Sequence, residues 1–113
     1  MAVDAPQPGA TVTGSAIRVG GWALQDGAVD GPGTTAVHVW AYPVGGAAPV
    51  LVGAGTMSVE RPDVAALLGG EFLRSGFVVN GTLPAGTYDL VIAVHNARTG
   101  IFDQHRVVRV VVR

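Results

Sequence analysis

Glycine and proline interrupt this sequence too often for long helices. The 113 residues include 17 glycines and 7 prolines, most of which lie between short runs rich in valine, isoleucine, threonine and aromatic residues. Glycine weakens a helix interior and proline breaks it, whereas both are ordinary residues of the turns between strands. The pattern therefore predicts an all-β domain with seven strands, enough for a β-sandwich. The predicted strands span residues 11–14, 16–24, 36–44, 50–59, 76–81, 87–95 and 102–112.

One segment, RPDVAALLGGEF, has a helical signal instead. Pro62 suits the first turn of a helix, Asp63 favours its positive N-terminal end, and two glycines follow that stop it. Val64, Leu67 and Leu68 are spaced at i, i+3 and i+4 and therefore share one side. We expect a short helix that caps an end of the sandwich with these three side chains.

The segment LPAGTYDLVIAVHN alternates strictly and predicts a half-buried strand. Its inward set comprises Tyr88, Leu90, Ile92 and Val94. In sandwich domains, a tyrosine near the start of the penultimate strand donates its hydroxyl hydrogen to nearby backbone, an arrangement called the tyrosine corner. Tyr88 follows the turn LPAG in this position. We assign structural roles in the core to Trp22, Trp40, Tyr88, Leu90, Ile92 and Val94.

The segments GWAL, AVHVWAY, RPDVAALLG, SGF and LPAGTYDL, in this order, resemble bacterial immunoglobulin-like domains, which share their architecture with fibronectin type III domains. The resemblance covers nearly the whole chain. It implies an all-β, immunoglobulin-like, seven-stranded β-sandwich with one short helix capping an end. We expect a single domain over residues 1–113, in which residues 1–9 are a flexible lead-in. The cysteine pair of vertebrate immunoglobulin domains is absent from this sequence.

The resemblance also implies a function without catalysis. Bacterial modules of this kind act as spacers, stalks or adhesive domains of larger secreted or cell-surface proteins, and they have no catalytic residues to transfer to this chain. The expected location is therefore extracellular or at the cell surface, as part of a larger exported protein, although the first ten residues lack the features of a signal peptide. Expected partners are neighbouring domains of a parent chain and a protein or carbohydrate ligand bound by the end loops.

Two irregularities are predicted in the strands. If His95 faces Asp103 in the last hairpin, the same register places Ala93 opposite His105 and Asp89 opposite Arg109. That register leaves Arg106 on the inner side, so a bulge near residues 104–106 would relieve a buried charge. In the segment AIRVGGWAL, a bulge at the two glycines would turn Trp22 and Leu24 into the core.

Composition argues against several classes of partner. The net charge is -1, and basic and acidic residues are scattered singly, so we expect no nucleic-acid binding. With no cysteine, the chain has neither disulfides nor thiol chemistry. Residues 34–59 lack charged side chains, but their glycines and prolines would break a membrane-spanning helix, so no membrane span is predicted.

Metal sites and catalysis have little support in the sequence. His38, His95 and His105 lack the close spacing of zinc motifs, and His38 should face away from the other two if Trp40 lies in the core. Asp26 and Asp30 are calcium candidates in a glycine-rich loop, but two carboxylates are too few for a calcium site. No nucleophile elbow, phosphate-binding loop or carboxylate pair is found, and we expect neither an enzyme nor a cofactor.

Two alternative functions remain open. Trp22, Trp40 and Tyr42 could form a stacking platform for sugars, as in a carbohydrate-binding module of a secreted hydrolase, provided that they are exposed on one face. The last strand is strongly β-prone, and its edge could pair with that of a second copy, although Arg109 and Arg113 oppose uncontrolled pairing. A monomer or weak self-association is expected.

Overall fold

The computed structural model describes residues 1–24, 34–70 and 73–113. In these ranges the chain is mostly β, as predicted, with eight strands and one helix. The strands are β1 (Ala2–Ala5), β2 (Ala10–Val12), β3 (Ala16–Trp22), β4 (Thr34–Pro43), β5 (Val50–Thr56), β6 (Gly76–Thr82), β7 (Gly86–Asn96) and β8 (Phe102–Val112), and helix α1 spans Pro62–Leu68. The number of strands is eight rather than seven because part of the expected flexible lead-in forms β1.

The strands form two sheets. One sheet has three strands in the order β1-β3-β6, and the other has five in the order β2-β8-β7-β4-β5. Strand β2 runs parallel to β8, and all other paired strands are antiparallel. The first two strands therefore belong to different sheets, and this arrangement is compatible with an all-β sandwich.

A single apolar core draws side chains from both sheets. Strand β7 is its most regular contributor, because every second residue from Tyr88 to Asn96 is buried, as its alternation predicts. The core consists of Ile17, Val19, Ala23, Val37, Val39, Ala41, Val52, Phe77, Val79, Leu83, Tyr88, Leu90, Ile92, Val94, Val108, Val110 and Val112.

Strand β3 lacks the predicted bulge. It pairs with β6 without any shift in register, so alternation continues through Gly20 and Gly21. Gly21 is buried against the Ala2 carbonyl of β1 and the ring of Phe77, which leave no room for a larger residue there. The prediction that Trp22 and Leu24 turn into the core is therefore wrong, and both residues are half-buried.

The irregularity lies in the neighbouring strand β1 instead. Its register with β3 shifts between Val3 and Ala5, so that Asp4 is the extra residue. Such a bulge redirects a side chain. The Asp4 carboxylate accepts a hydrogen bond from Arg61 Nη1 at 2.7 Å, which links the start of the chain to the segment before α1.

Helix α1 begins at Pro62 and ends at Leu68, close to the prediction, but its apolar side is not covered as expected. Val64 is buried, whereas Leu67 is 85% exposed and Leu68 is 50% exposed. Leu67 and Leu68 line a cavity between the helix and Trp22, so they are not packed tightly against the sheet. The prediction that Leu67 and Leu68 pack inward is wrong.

The last hairpin has the predicted register over most of its length. Ala93 lies opposite His105, and Asp89 lies opposite Arg109. The predicted pair of His95 with Asp103 is wrong, because the register shifts at this point and His95 lies opposite Phe102.

Arg106 stays on the inner side of the strand, opposite Ile92, and no bulge at residues 104–106 removes it. Its side chain is exposed, and its Nη2 donates a hydrogen bond to the carbonyl oxygen of Met1 at 3.3 Å. The charge therefore remains solvated without the predicted bulge.

Candidate binding face on the five-stranded sheet

Strand β4 alternates between the core and the outer face of the five-stranded sheet. Val37, Val39 and Ala41 are fully buried, whereas Trp40 is 36% exposed and Tyr42 is 46% exposed. The expectation that Trp40 lies in the core is wrong. The cause is the register with β7, in which Trp40 lies opposite Val91 rather than opposite one of the buried residues of β7.

Four neighbouring strands place an apolar side chain in the same row of this outer face. Trp40 lies between Leu51 of β5 and Val91 of β7, and Val91 lies opposite Val107 of β8. Residues directly opposite each other on paired strands point to the same face of a sheet. Leu51 and Val107 are about half exposed, and Val91 is half-buried. We call Leu51, Trp40, Val91 and Val107 the apolar band.

The next row of the same face is polar. Tyr42 lies opposite Asp89, which lies opposite Arg109. Arg109 Nε donates to Asp89 Oδ1 at 2.8 Å, and Arg109 Nη2 donates to Asp89 Oδ2 at 2.9 Å. These hydrogen bonds lower the pKa of Asp89 and raise the pKa of Arg109. The pair is thus ionised and held in one geometry beside Tyr42.

The three histidines also lie on this face. His38 lies opposite Ala93, which lies opposite His105. The ring of Phe102 contacts His38 and His95, with centroid distances of 4.6 Å and 5.1 Å. The expectation that His38 faces away from the other two histidines is therefore wrong, for the same reason as for Trp40.

Metal candidates do not converge in the described part of the chain. No group of three or more histidine, aspartate or glutamate side chains in residues 1–24, 34–70 and 73–113 is arranged to hold a metal ion. The calcium candidates Asp26 and Asp30 lie outside the described residues. Within those same ranges, no helix is long and apolar enough to cross a membrane.

The end of β7 is held by Asn96 rather than used as a site. Asn96 is buried, its side-chain amide donates to Asp103 Oδ2 at 2.8 Å, and its Oδ1 accepts from the backbone N–H groups of Arg98 and Thr99. This is the hydrogen bonding of a turn-forming asparagine. His95 and Asn96 thus serve the hairpin between β7 and β8.

The outer face of the three-stranded sheet differs, because helix α1 lies beside Trp22 and the Arg61 side chain reaches Asp4 of β1, while Val59 pairs with the edge of β6. Val59 exchanges two backbone hydrogen bonds with Gly76, at 3.0 Å and 3.1 Å. Arg61 then binds Asp63 through Nε at 3.0 Å and through Nη2 at 2.8 Å, and it reaches Asp4 through Nη1. The hydrogen bond with Asp63 raises the pKa of Arg61 and lowers that of Asp63.

Two shallow cavities adjoin this segment. The larger, of about 290 Å³, is lined by residues that include Arg18, Gly20 and Arg61. The smaller, of about 190 Å³, lies between Trp22 and helix α1. Trp22 is thus on the other sheet from Trp40 and Tyr42, and the predicted platform of three aromatic residues is reduced to two.

Sequence reasoning missed most of the apolar band. The alternation of β7 predicts that Val91 lies on the outer face, and the pairing of Asp89 with Arg109 places Val107 opposite it, but neither predicts Trp40 and Leu51 beside them. The same alternation that buries Leu90 and Ile92 turns Val91 outward. The alternation of β7 and its pairing with β8 therefore indicate that Val91 and Val107 share the outer face. They do not indicate how β4 aligns with these two strands. No protein-family model and no curated protein matches this chain.

Proposed function

We propose that this chain is a non-enzymatic, immunoglobulin-like β-sandwich module that serves as a structural or adhesive domain of a larger extracellular bacterial protein. The strand order supports the fold assignment. Under this proposal, the sheets β1-β3-β6 and β8-β7-β4-β5 would be strands A-B-E and G-F-C-C′ of an immunoglobulin domain. In addition, the Tyr88 hydroxyl donates to the carbonyl oxygen of Pro84 at 2.8 Å, as in a tyrosine corner. The extracellular and bacterial assignments rest on the sequence resemblance.

The apolar band is the observation that carries the adhesive function. Soluble monomers keep large contiguous apolar patches to a few hundred Å², and such patches commonly mark interaction sites. Here Trp40, Leu51 and Val107 are each at least one-third exposed in adjacent positions of one face. Because the band is built on paired strands rather than on loops, a ligand would meet a surface that is already formed. Adhesion by this face requires no rearrangement of the domain.

Adhesion is tested by retention of the purified domain on coated surfaces. The surfaces are cellulose, chitin, peptidoglycan and gelatin, which represent polysaccharide and protein ligands. We expect retention on at least one surface, and we expect Trp40→Ser combined with Val107→Ser to reduce it about tenfold or more, as loss of a central aromatic anchor does.

Leu67→Ser combined with Leu68→Ser is the matched control, because it removes two exposed apolar side chains outside the band. This control should keep full retention. Equal retention of the wild type and both variants on every surface would disprove adhesion by the apolar band.

A further inference from the structure

The outer side of β4 presents aromatic rings in a line. Trp40 and Tyr42 are two residues apart on one strand, so their Cα atoms are about 6.7 Å apart, and their side chains point to the same face. His38 precedes them at the same spacing on this face. Both rings are substantially exposed, as ring stacking with a ligand requires.

Polar groups lie immediately beside these rings. Asp89 is directly across from Tyr42, and Arg109 follows on the next strand. Their mutual hydrogen bonds use two of the five guanidinium N–H groups and leave carboxylate lone pairs free for other donors. The Arg109 side chain is 58% exposed, so these groups are accessible. The charges of Asp89 and Arg109 compensate each other. The row of Tyr42, Asp89 and Arg109 therefore favours a ligand that is polar but neutral.

The size of the face limits the ligand. A standard protein interface buries about 800 Å² on each partner, which is roughly one-eighth of the 6032 Å² exposed by the described molecule. The few half-exposed side chains of the band and Tyr42 supply only a few hundred Å² of apolar surface. A ligand narrower than a folded domain matches this area better than a second copy of the chain does.

We propose that Trp40 and Tyr42 bind a neutral oligosaccharide of β-linked pyranose rings that lies along β4. Sugars with equatorial hydroxyls have apolar C–H faces that stack on aromatic rings, and their ring edges carry hydroxyl groups that both donate and accept hydrogen bonds. Trp40 and Tyr42 receive the ring faces, and Asp89 and Arg109 bind the hydroxyls. The inference rests on the proposed function, since it names the ligand of the same face.

The two tryptophans allow a direct test. In Trp22→Phe, Trp40 is the sole tryptophan, so its fluorescence emission reports on the binding face alone. Titration with cellohexaose and with chitohexaose should change this emission in a saturable manner with at least one of the two sugars. Adding Tyr42→Ala should raise the Kd about three- to tenfold, which is the usual effect of losing one aromatic contact. In the matched control Trp40→Phe, only Trp22 reports, and its emission should not change.

Two results would overturn the proposal: no change in Trp40 emission with either sugar, or binding that Tyr42→Ala leaves unaltered. Retention on coated surfaces separates these results from failure of the proposed function. If the Trp40→Ser and Val107→Ser variant loses retention on gelatin while neither sugar binds, the ligand is a protein and only the carbohydrate inference falls. If the variants and the wild type are retained equally on all surfaces, the adhesive function itself falls.

Discussion

The outer faces of the two sheets both carry a tryptophan and an ion pair, yet among the described residues another part of the chain lies against only one of them. On the three-stranded sheet, the segment from Val59 into helix α1 bonds to Gly76, and Arg61 reaches across to Asp4. On the five-stranded sheet, the described residues leave Trp40 and its apolar neighbours at the surface. Among the described residues this apolar row stays at the surface, and exposed apolar rows of this kind commonly mark interaction sites.

The difference originates both in the position of the strands within their sheets and in side-chain size. Gly76 lies opposite Trp22 in the three-stranded sheet, and the absence of a side chain there lets the Val59 backbone approach closely. In the five-stranded sheet, Trp40 lies between Leu51 and Val91, and these larger side chains occupy the space above the strands. Strand β6 lies at the edge of its sheet, so its free backbone groups can pair with Val59, whereas β4 is already paired with β5 on one side and β7 on the other.

Among the substitutions that test the difference between the two faces, Gly76→Ala is expected to cause the largest loss of stability. The new Cβ would lie 2.8 Å from the Val59 carbonyl oxygen and 2.9 Å from Arg61 Cγ, so the covering segment would have to move. We expect a loss of about 3 kcal/mol in the free energy of unfolding, measured by urea denaturation, at the upper end of the range for overpacking.

Gly20→Ala is the control for this substitution, because its new Cβ would meet nothing closer than 3.6 Å. It should change the free energy of unfolding by less than about 1 kcal/mol. If both variants are equally stable, the segment after β5 does not pack against the sheet as described.

The two tryptophans provide the next test. Trp22 is half-buried and adjoins helix α1, whereas Trp40 has no covering segment in the described residues. We expect Trp22→Ala to cost about 2 kcal/mol of unfolding free energy and Trp40→Ala to cost about 1 kcal/mol or less, both below the values for fully buried aromatic residues. The reverse order in thermal or urea denaturation would mean that Trp40, not Trp22, supports the fold.

Strand β7 shows why part of this fold could be predicted. Its apolar residues on one face and its mixed residues on the other allow only one orientation, and the alternation predicted the buried set. The pairing of Asp89 with Arg109 was inferred from a His95–Asp103 register, and it holds although His95 itself lies opposite Phe102. The hydrogen bond of Tyr88 followed from its position after a turn. Where a strand has one clearly apolar face, its period determines which residues are inside.

Strand β4 shows why the candidate site could not be predicted. The segment AVHVWAY is apolar at both parities, so the sequence permits either Val37 and Val39 or Trp40 to face the core. The alignment of β4 with β7 decides between them, and this alignment is a long-range property that no local pattern contains. Tryptophan in a sandwich is more often part of the core, which favours Trp40 inside, whereas β4 in fact contributes Val37, Val39 and Ala41 to the core.

Strand β3 was misread for a related reason. Its two glycines suggested a bulge that would carry Trp22 inward, but the bulge formed in the partner strand at Asp4. Glycine at such a position indicates either an extra residue or the close approach of another group, and here the β1 backbone at Ala2 approaches Gly21, followed by the Phe77 ring. The sequence alone does not distinguish the two causes.

The smallest expected effect concerns the pH dependence of the unfolding free energy, to which the ion pairs of both faces contribute. Hydrogen bonds from arginine lower the pKa of Asp89 and of Asp63 from the ordinary value of 3.8. A carboxylate whose folded-state pKa is lowered stabilises the fold above its unfolded-state pKa, and this stabilisation is lost as the pH falls through the folded-state pKa. Unfolding free energy should therefore decline below about pH 5, and it should decline less steeply when either aspartate is replaced by asparagine.

Asp89→Asn should reduce the decline of unfolding free energy at acid pH more than Asp63→Asn does. Arg61 retains Asp4 at 2.7 Å when Asp63 is neutralised, whereas Arg109 has Asp89 as its only ion-pair partner in the described residues. Urea denaturation from about pH 6 to about pH 3 measures the slopes, and repeating it at about 1 M salt should shrink the difference, because exposed charges are screened. A steeper effect of Asp63→Asn would mean that the ion pairs of the covered face, rather than the Asp89–Arg109 pair beside the candidate site, dominate the acid dependence.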